Sequence, residues 1–281
     1  MVLCSKQIED CGGILAGQDG VMQARAAFPR GLEQPLGSLR FGMDALLLAA
    51  FAVRHVKSHV NLKCKRIIAA ELGSGCGAAI IALCLKCPAV SGLGLDREVS
   101  LIGAAQRNAQ RLGLSSRLVF EVKDLTNLST LYTLPSTSDV HFTAGKFDLV
   151  LCNPPFEMNG RQSPHQLREH ALRTPEGREE SLKIFCRASS MLLRHHGFFI
   201  CIAHTSLLPQ LCIALHIAKL GIQCLLPVRP HSDKPSSRLL LLARLHAADN
   251  IFLEKPLTLH SYATGNNKWT KTALRFCSWL K

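Results

Sequence analysis

Long apolar runs are missing from this chain. Among its 281 residues runs such as Ala45–Val53 and Leu239–Ala243 fall far short of the roughly 20 residues that cross a bilayer. The N-terminus sets Glu9 and Asp10 close behind Lys6 with no apolar stretch after them, so it lacks the layout of a secretory signal. Negative charge is scarce: 20 acidic residues face 33 basic ones, a net charge of +13. That balance favours a polyanion, nucleic acid above all, over a small acidic metabolite. The basic residues form no continuous run, so each also fits the solvated face of a helix. No internal repeat and no clean domain boundary interrupt a chain long enough for one large core. The twelve cysteines sit in apolar stretches such as Ile80–Cys87 and Gly197–Cys201, which points to reduced thiols in the cytoplasm rather than disulfides. Cys84 and Cys87 form a C-x-x-C pair without a second pair, and Cys201 and His204 lie far away, so no metal site is expected. The twelve histidines compose no catalytic triad, and His195-His196 before Gly197 read as the cationic end of a helix.

What is present is an alternation of strands and helices. Residues 1–37 mix glycine, proline and charge without periodicity and read as an irregular lead-in that ends in a short hairpin; residues 38–281 read as the functional domain. A helix is predicted over Met43–His59, with Asp44 near its start where an acid suits the helix dipole. Strands follow at Arg66–Leu72, Gly92–Leu95, Leu118–Val122 and Phe147–Cys152, with helices at Ala78–Cys87 and Val99–Leu112. Beyond them come a helix ending near Arg194, a strand at Phe198–His204, a helix at Leu208–Leu220 and a strand at Ser237–Leu245. This order implies a doubly wound α/β fold with a mostly parallel sheet whose last strands pair antiparallel at its edge. Tyr132–Gly145 reads as an inserted loop and Glu157–Gly177 as a mobile one, both where open α/β sheets place ligands.

Four strand ends carry the chemistry. Glu71-Leu-Gly73-Ser-Gly75-Cys-Gly77 takes a strand into a glycine turn and then a helix, which lets a ligand approach the backbone closely. Its G-x-G-x-G spacing lacks the third glycine of a dinucleotide turn and so favours a nucleoside without phosphates. Asp96 ends the next strand, where a carboxylate can accept hydrogen bonds from both ribose hydroxyls, and Asp124 follows the third, placed to accept from an adenine amino group. The fourth strand ends in Asn153-Pro154-Pro155-Phe156. Two prolines fix the backbone and leave the Pro154 carbonyl and the Asn153 side-chain oxygen pointing outward as two acceptors for one NH2 group. Two such acceptors help bend a conjugated amine towards the tetrahedral geometry of an attacking nucleophile. Phe156 would stack on the planar target. Arg161, Arg168, Arg173 and Arg178 follow, where cations could hold phosphates.

These motifs resemble the amino-group branch of the Rossmann-like methyltransferases. Arg40-Phe-Gly-Met-Asp44-Ala-Leu-Leu-Leu, upstream of the first strand, resembles the bacterial enzymes that methylate N6 of adenine 37 in valine tRNA. Arg238-Leu-Leu-Leu-Leu-Ala-Arg244 and a tail with Pro256, Leu257, His260 and Gly265 are similar to that family's C-terminal hairpin. The resemblance implies a seven-stranded sheet of the class I S-adenosylmethionine-dependent type. Gly73, Gly75, Asp96 and Asp124, with Asp44, Glu71 and Gly77, would hold S-adenosylmethionine. Asn153, Pro154 and Phe156 would act on the base, and Arg40, Pro155, Arg173 and Arg238 would hold the RNA. The expected partner is tRNA, met by a monomer without metal. Phenylalanine after the two prolines is also at home in ribosomal guanine N2-methyltransferases, although no second, degenerate copy of the domain is present. The related release-factor glutamine methyltransferases share the proline motif but carry a helical domain in front, for which the lead-in before Arg40 is too short and too rich in glycine.

Overall fold

A computed structural model describes residues 18–59, 66–137, 140–154, 178–261 and 268–280. Seven strands make its core: β1 (Ile67–Leu72), β2 (Val90–Asp96), β3 (Leu118–Val122), β4 (Phe147–Cys152), β5 (Leu193–His204), β6 (Leu220–Arg229) and β7 (Arg238–Leu245). They lie in the order β3-β2-β1-β4-β5-β7-β6, all parallel except β7, which runs antiparallel to β5 and β6. Two-residue strands β8 (Phe252–Leu253) and β9 (Leu257–Thr258) add to the free side of β6, so the sheet has nine strands where seven are expected. β4 is buried at every position, as a strand covered on both faces must be, and its sequence is apolar except for Asp148, whose carboxylate accepts from the Ile68 N–H at 2.9 Å and pairs with Arg194 at 2.6 Å.

Helices α2 (Met43–His59), α3 (Ala78–Lys86) and α4 (Val99–Arg111) cover one face; α5 (Arg178–Leu192) and α6 (Leu208–Ile217) cover the other. Alternation along β1 divides the core accordingly. Ile67 and Ala69 pack with Leu47, Phe51, Ile81 and Ile102, whereas Ala70 and Leu72 pack with Leu182, Cys186 and Leu211. A last helix, α7 (Lys271–Phe276), adds Ala273 to the first cluster. Because β1 has β2 on one side and β4 on the other, the crevice at their carboxyl ends is the switch point where such sheets bind ligands. No helix among the described residues is long and apolar enough to cross a membrane.

Four expectations are corrected. The lead-in read as irregular contains a helix, α1 (Gln18–Ala27), tied to the end of α4 by the Arg25 guanidinium, which donates to the Leu112 carbonyl at 2.8 Å. β6 went unread because Gly221 and Pro227 break its pattern. Pro227 falls in the gap between the residues that pair with β8 and those that pair with β9, a position where a missing N–H is tolerated. The antiparallel strand β7 lies inside the sheet and not at its edge, since β6 flanks it. His195 and His196 do not end a helix: they sit within β5 beside a register shift, with His196 at φ 59°.

Candidate active site

The glycine turn is held by what surrounds it. Gly73, Gly75 and Gly77 have φ of 67°, 54° and 83°, a region that L side chains rarely adopt. Asp96 at the end of β2 reaches across, one oxygen accepting from the Gly75 N–H at 2.8 Å and the other from the Glu98 N–H at 3.0 Å. Burial raises the Asp96 carboxyl, and these two N–H groups oppose the rise. Glu71, 3% exposed, accepts from the Ile80 N–H at 2.9 Å and so joins the end of β1 to the first turn of α3. Asn108, which sequence reasoning missed, supports the turn from behind: it donates to the carbonyls of Cys76 and Glu33 at 3.1 and 3.0 Å. Its only signal is an amide on an otherwise apolar helix face.

The turn opens into a cleft of about 380 Å³. Of the residues singled out in the sequence, Arg40, Asp44, Glu71, Gly73, Gly75, Asp96, Asp124, Asn153 and Arg238 line it. Gly77 stands behind the wall, where a Cβ would meet the Phe120 ring at 2.6 Å. Pro154 is buried beside Asn153 without lining the cleft. Pro155, Phe156, Arg161, Arg168, Arg173 and Gly265 lie outside the described residues, and so does the side chain of Arg178. Asp124 accepts from the Thr126 N–H at 3.0 Å, which fixes its carboxylate at the mouth. Asp44 and Arg238, 194 positions apart, form an ion pair at 2.9 Å across the cleft. Helix α5 adds Ser181, Ile184 and Phe185, and Phe185 stacks so close to Gly73 that a Cβ there would lie 3.3 Å from its ring. Nothing local in the sequence of α5 signals this wall, because it arrives through packing against β4.

Three side-chain atoms of the cleft stand out. Ser74 Oγ, Asn153 Oδ1 and Ser181 Oγ are buried without a hydrogen-bond partner among the described residues. A buried polar atom left unpaired costs about 1–3 kcal/mol, so these atoms are suited to a polar ligand. Cys76 also lines the cleft, but burial and the Glu71 charge push its thiol up to about 12, which keeps it protonated and unreactive. Away from the cleft, His55, Cys224 and Glu254 bring donor atoms within 4.8 Å of one another; Arg54 already pairs with the Glu254 carboxylate there.

A family model described as a methyltransferase domain matches residues 65–203. Over 230 residues, 81% of this chain and 82% of the relative, the sequence is 26% identical to a tRNA1(Val) (adenine(37)-N6)-methyltransferase of Porphyromonas gingivalis. The Vibrio campbellii protein of the same name is 24% identical over 73% of this chain and 79% of its own. A release factor glutamine methyltransferase of Rhodospirillum rubrum is 35% identical over 86 residues, 31% of this chain and 22% of that protein. Among solved structures, an Agrobacterium tumefaciens protein described as a predicted O-methyltransferase superposes with a TM-score of 0.61 at 17% identity, covering 84% of this chain and 96% of the other. A Listeria monocytogenes protein described as a putative class I S-adenosylmethionine-dependent methyltransferase gives 0.57 at 13% identity, covering 94% and 80%.

The fold is that of the class I S-adenosylmethionine-dependent methyltransferases, and residues 65–203 match a methyltransferase domain. The chain's relatives along most of its length are the tRNA1(Val) (adenine(37)-N6)-methyltransferases, the resemblance already carried by the motifs. The cleft fits the cofactor chemically. It has room at Gly75, where nothing lies within 4 Å of a Cβ position, two hydroxyls unpaired among the described residues, and five carboxyl groups, those of Asp44, Glu71, Asp96, Glu98 and Asp124, suited to a ligand with a sulfonium and an ammonium charge.

Proposed function

We propose that this protein methylates N6 of an adenine in tRNA, adenine 37 of valine tRNA by relationship, and works as a cytoplasmic monomer. The observation that carries the reading is Asn153 Oδ1: buried, unpartnered among the described residues, on the wall of the cleft at the end of β4. Both the relationship over most of the chain and the net charge of +13 support a nucleic-acid substrate. The unbridged thiols of all nine described cysteines support a reducing compartment.

S-adenosylmethionine, when bound, supplies an electrophilic methyl group. The rest falls to the chain. Asp96 and Asp124 accept from the ribose hydroxyls and adenine amino group, as the sequence expectation has it, and Gly73 and Gly75 let the backbone come close. Asn153 Oδ1 and the Pro154 carbonyl each accept one N–H of the target amine, which holds the nitrogen lone pair towards the reacting carbon. The methylated nitrogen is acidic until it loses its extra proton, which water can take, so no strong base is needed. An unpaired anticodon-loop base enters such a pocket at low cost because little stacking is lost.

The test is incubation of the protein with labelled S-adenosylmethionine and total RNA from cells lacking the activity, followed by nucleoside analysis. N6-methyladenosine in the tRNA fraction is the expected product. N2-methylguanosine in ribosomal RNA would replace the base and the RNA, and label in a release factor instead of RNA would favour the reading suggested by the 86-residue similarity.

A further inference from the structure

The edge of the sheet that holds the cleft continues beyond it. β6 runs parallel to β4 and β5 and ends on the same side, three strand spacings from β4 or about 14 Å. In between, Arg238 opens β7: it lines the cleft and stands opposite Val228 of β6. The residues that follow Val228 are therefore next to the mouth of the cleft.

Two short strands, β10 (His260–Ser261) and β11 (Lys268–Trp269), are pinned there. The Leu259 and His260 N–H groups donate to the Arg229 and Pro230 carbonyls at 3.0 and 2.8 Å, and Thr270 N–H donates to the Leu259 carbonyl at 2.8 Å. On this support the His260 and Trp269 rings stack, centroids 4.3 Å apart and 29° from parallel, with the His231 ring 5.6 Å from His260. All three are half-buried; exposed Lys234 follows His231 by three residues and exposed Lys268 directly precedes Trp269, and Asp233 lies 3.7 Å from Lys234. Flat rings rimmed by cations are the features with which proteins hold unpaired nucleotides, rings on the bases and ammonium groups on the phosphates.

We propose that the Pro230–Ser237 loop and the β10–β11 pair form a second RNA contact beside the cleft. The His231, His260 and Trp269 rings meet unpaired bases next to the target nucleotide, and Lys234 and Lys268 hold its neighbouring phosphates. This rests on the reading that the substrate is RNA. It accounts for how a cleft that takes in a single base can select among RNAs.

The chain has two tryptophans, so Trp279→Phe leaves Trp269 as the sole reporter. Titration of this variant with unmodified valine tRNA transcript should quench its emission, and Lys234→Glu with Lys268→Glu should raise KM for that transcript about tenfold at unchanged kcat and unchanged cofactor affinity. The double variant avoids the packing loss that Trp269→Ala would bring. Absence of quenching at saturating transcript, or a KM within twofold of the parent, overturns the surface. Should the parent methylate no RNA, the tRNA reading fails by itself. The surface is then judged by transcript binding alone: quenching weakened by the two charge reversals sustains it, and no quenching removes it.

Discussion

Glu71 lies at the end of β1, where burial pushes its carboxyl up to about 8; the Asp96 charge adds to the rise and the Ile80 N–H opposes it. In the unfolded chain the same group ionises near its ordinary 4.5. Between these values the unfolded chain has released a proton that the folded chain keeps, so this residue's contribution to stability declines as pH rises through that window. Glu71→Gln keeps an acceptor for Ile80 and removes the titration. In thermal unfolding from pH 5 to 8, the Tm of the variant is expected to gain on the parent steadily with pH; a gap that stays constant would place the carboxyl at its ordinary value. Asn153→Ala tests the neighbouring wall. Methyl transfer should fall about 10²–10³-fold, as when one preorganised hydrogen-bonding group is removed from a reacting centre, while cofactor affinity by direct titration stays within about twofold. Equal loss in both would make Asn153 a part of the cofactor site. The candidate residues at strand ends were legible one by one because carboxylates, glycines and prolines carry their geometry locally. Their pairings were not: Asp44 and Arg238 were each singled out, but their ion pair spans 194 positions and no spacing rule reaches that far.

At the scale of elements, the glycine turn and α3 stand or fall together. Gly77 caps α3 at φ 83°, with the Phe120 ring 2.6 Å from where a Cβ would lie. Gly77→Ala pays for a left-handed backbone, about 1–2 kcal/mol, on top of moving Phe120, and should lower Tm and weaken cofactor binding together. Gly103→Ala provides the contrast. It lies inside α4, and its new methyl would meet only the tip of Arg107 at 3.4 Å; a gain of about 0.5–1 kcal/mol is expected from helix propensity. If both substitutions shift Tm alike, the left-handed cap is not what holds the turn. α2 and β4 occupy the limits read for them, Met43–His59 and Phe147–Cys152, because apolar periodicity and terminal signals coincide there. β6 was missed because its glycine and proline are explained only by neighbours: Gly221 lies against the Ala247 carbonyl, which a Cβ would approach to 2.1 Å, and Pro227 falls between two partner strands. The wall given by α5 was hidden for the same reason.

Across the whole molecule, charge governs the encounter with substrate. With 33 basic against 20 acidic residues, affinity for tRNA should fall with salt by at least about tenfold between 50 and 200 mM, measured as KM at fixed cofactor; an unchanged KM would argue for an uncharged or protein substrate. The sheet order has a different consequence, for synthesis. β7 lies between β5 and β6 but follows both in the chain. On a nascent chain leaving the ribosome N-terminus first, β6 emerges with no partner and β5 with one edge open, since neither pairs with the other. Only the arrival of Leu245 closes the gap, so the sheet is sealed late, from its middle. Until then the chain carries three unsatisfied strand edges, one on β5 and two on β6, of the kind that pair with other chains, and its risk of aggregation is concentrated in the interval between making residue 229 and making residue 245.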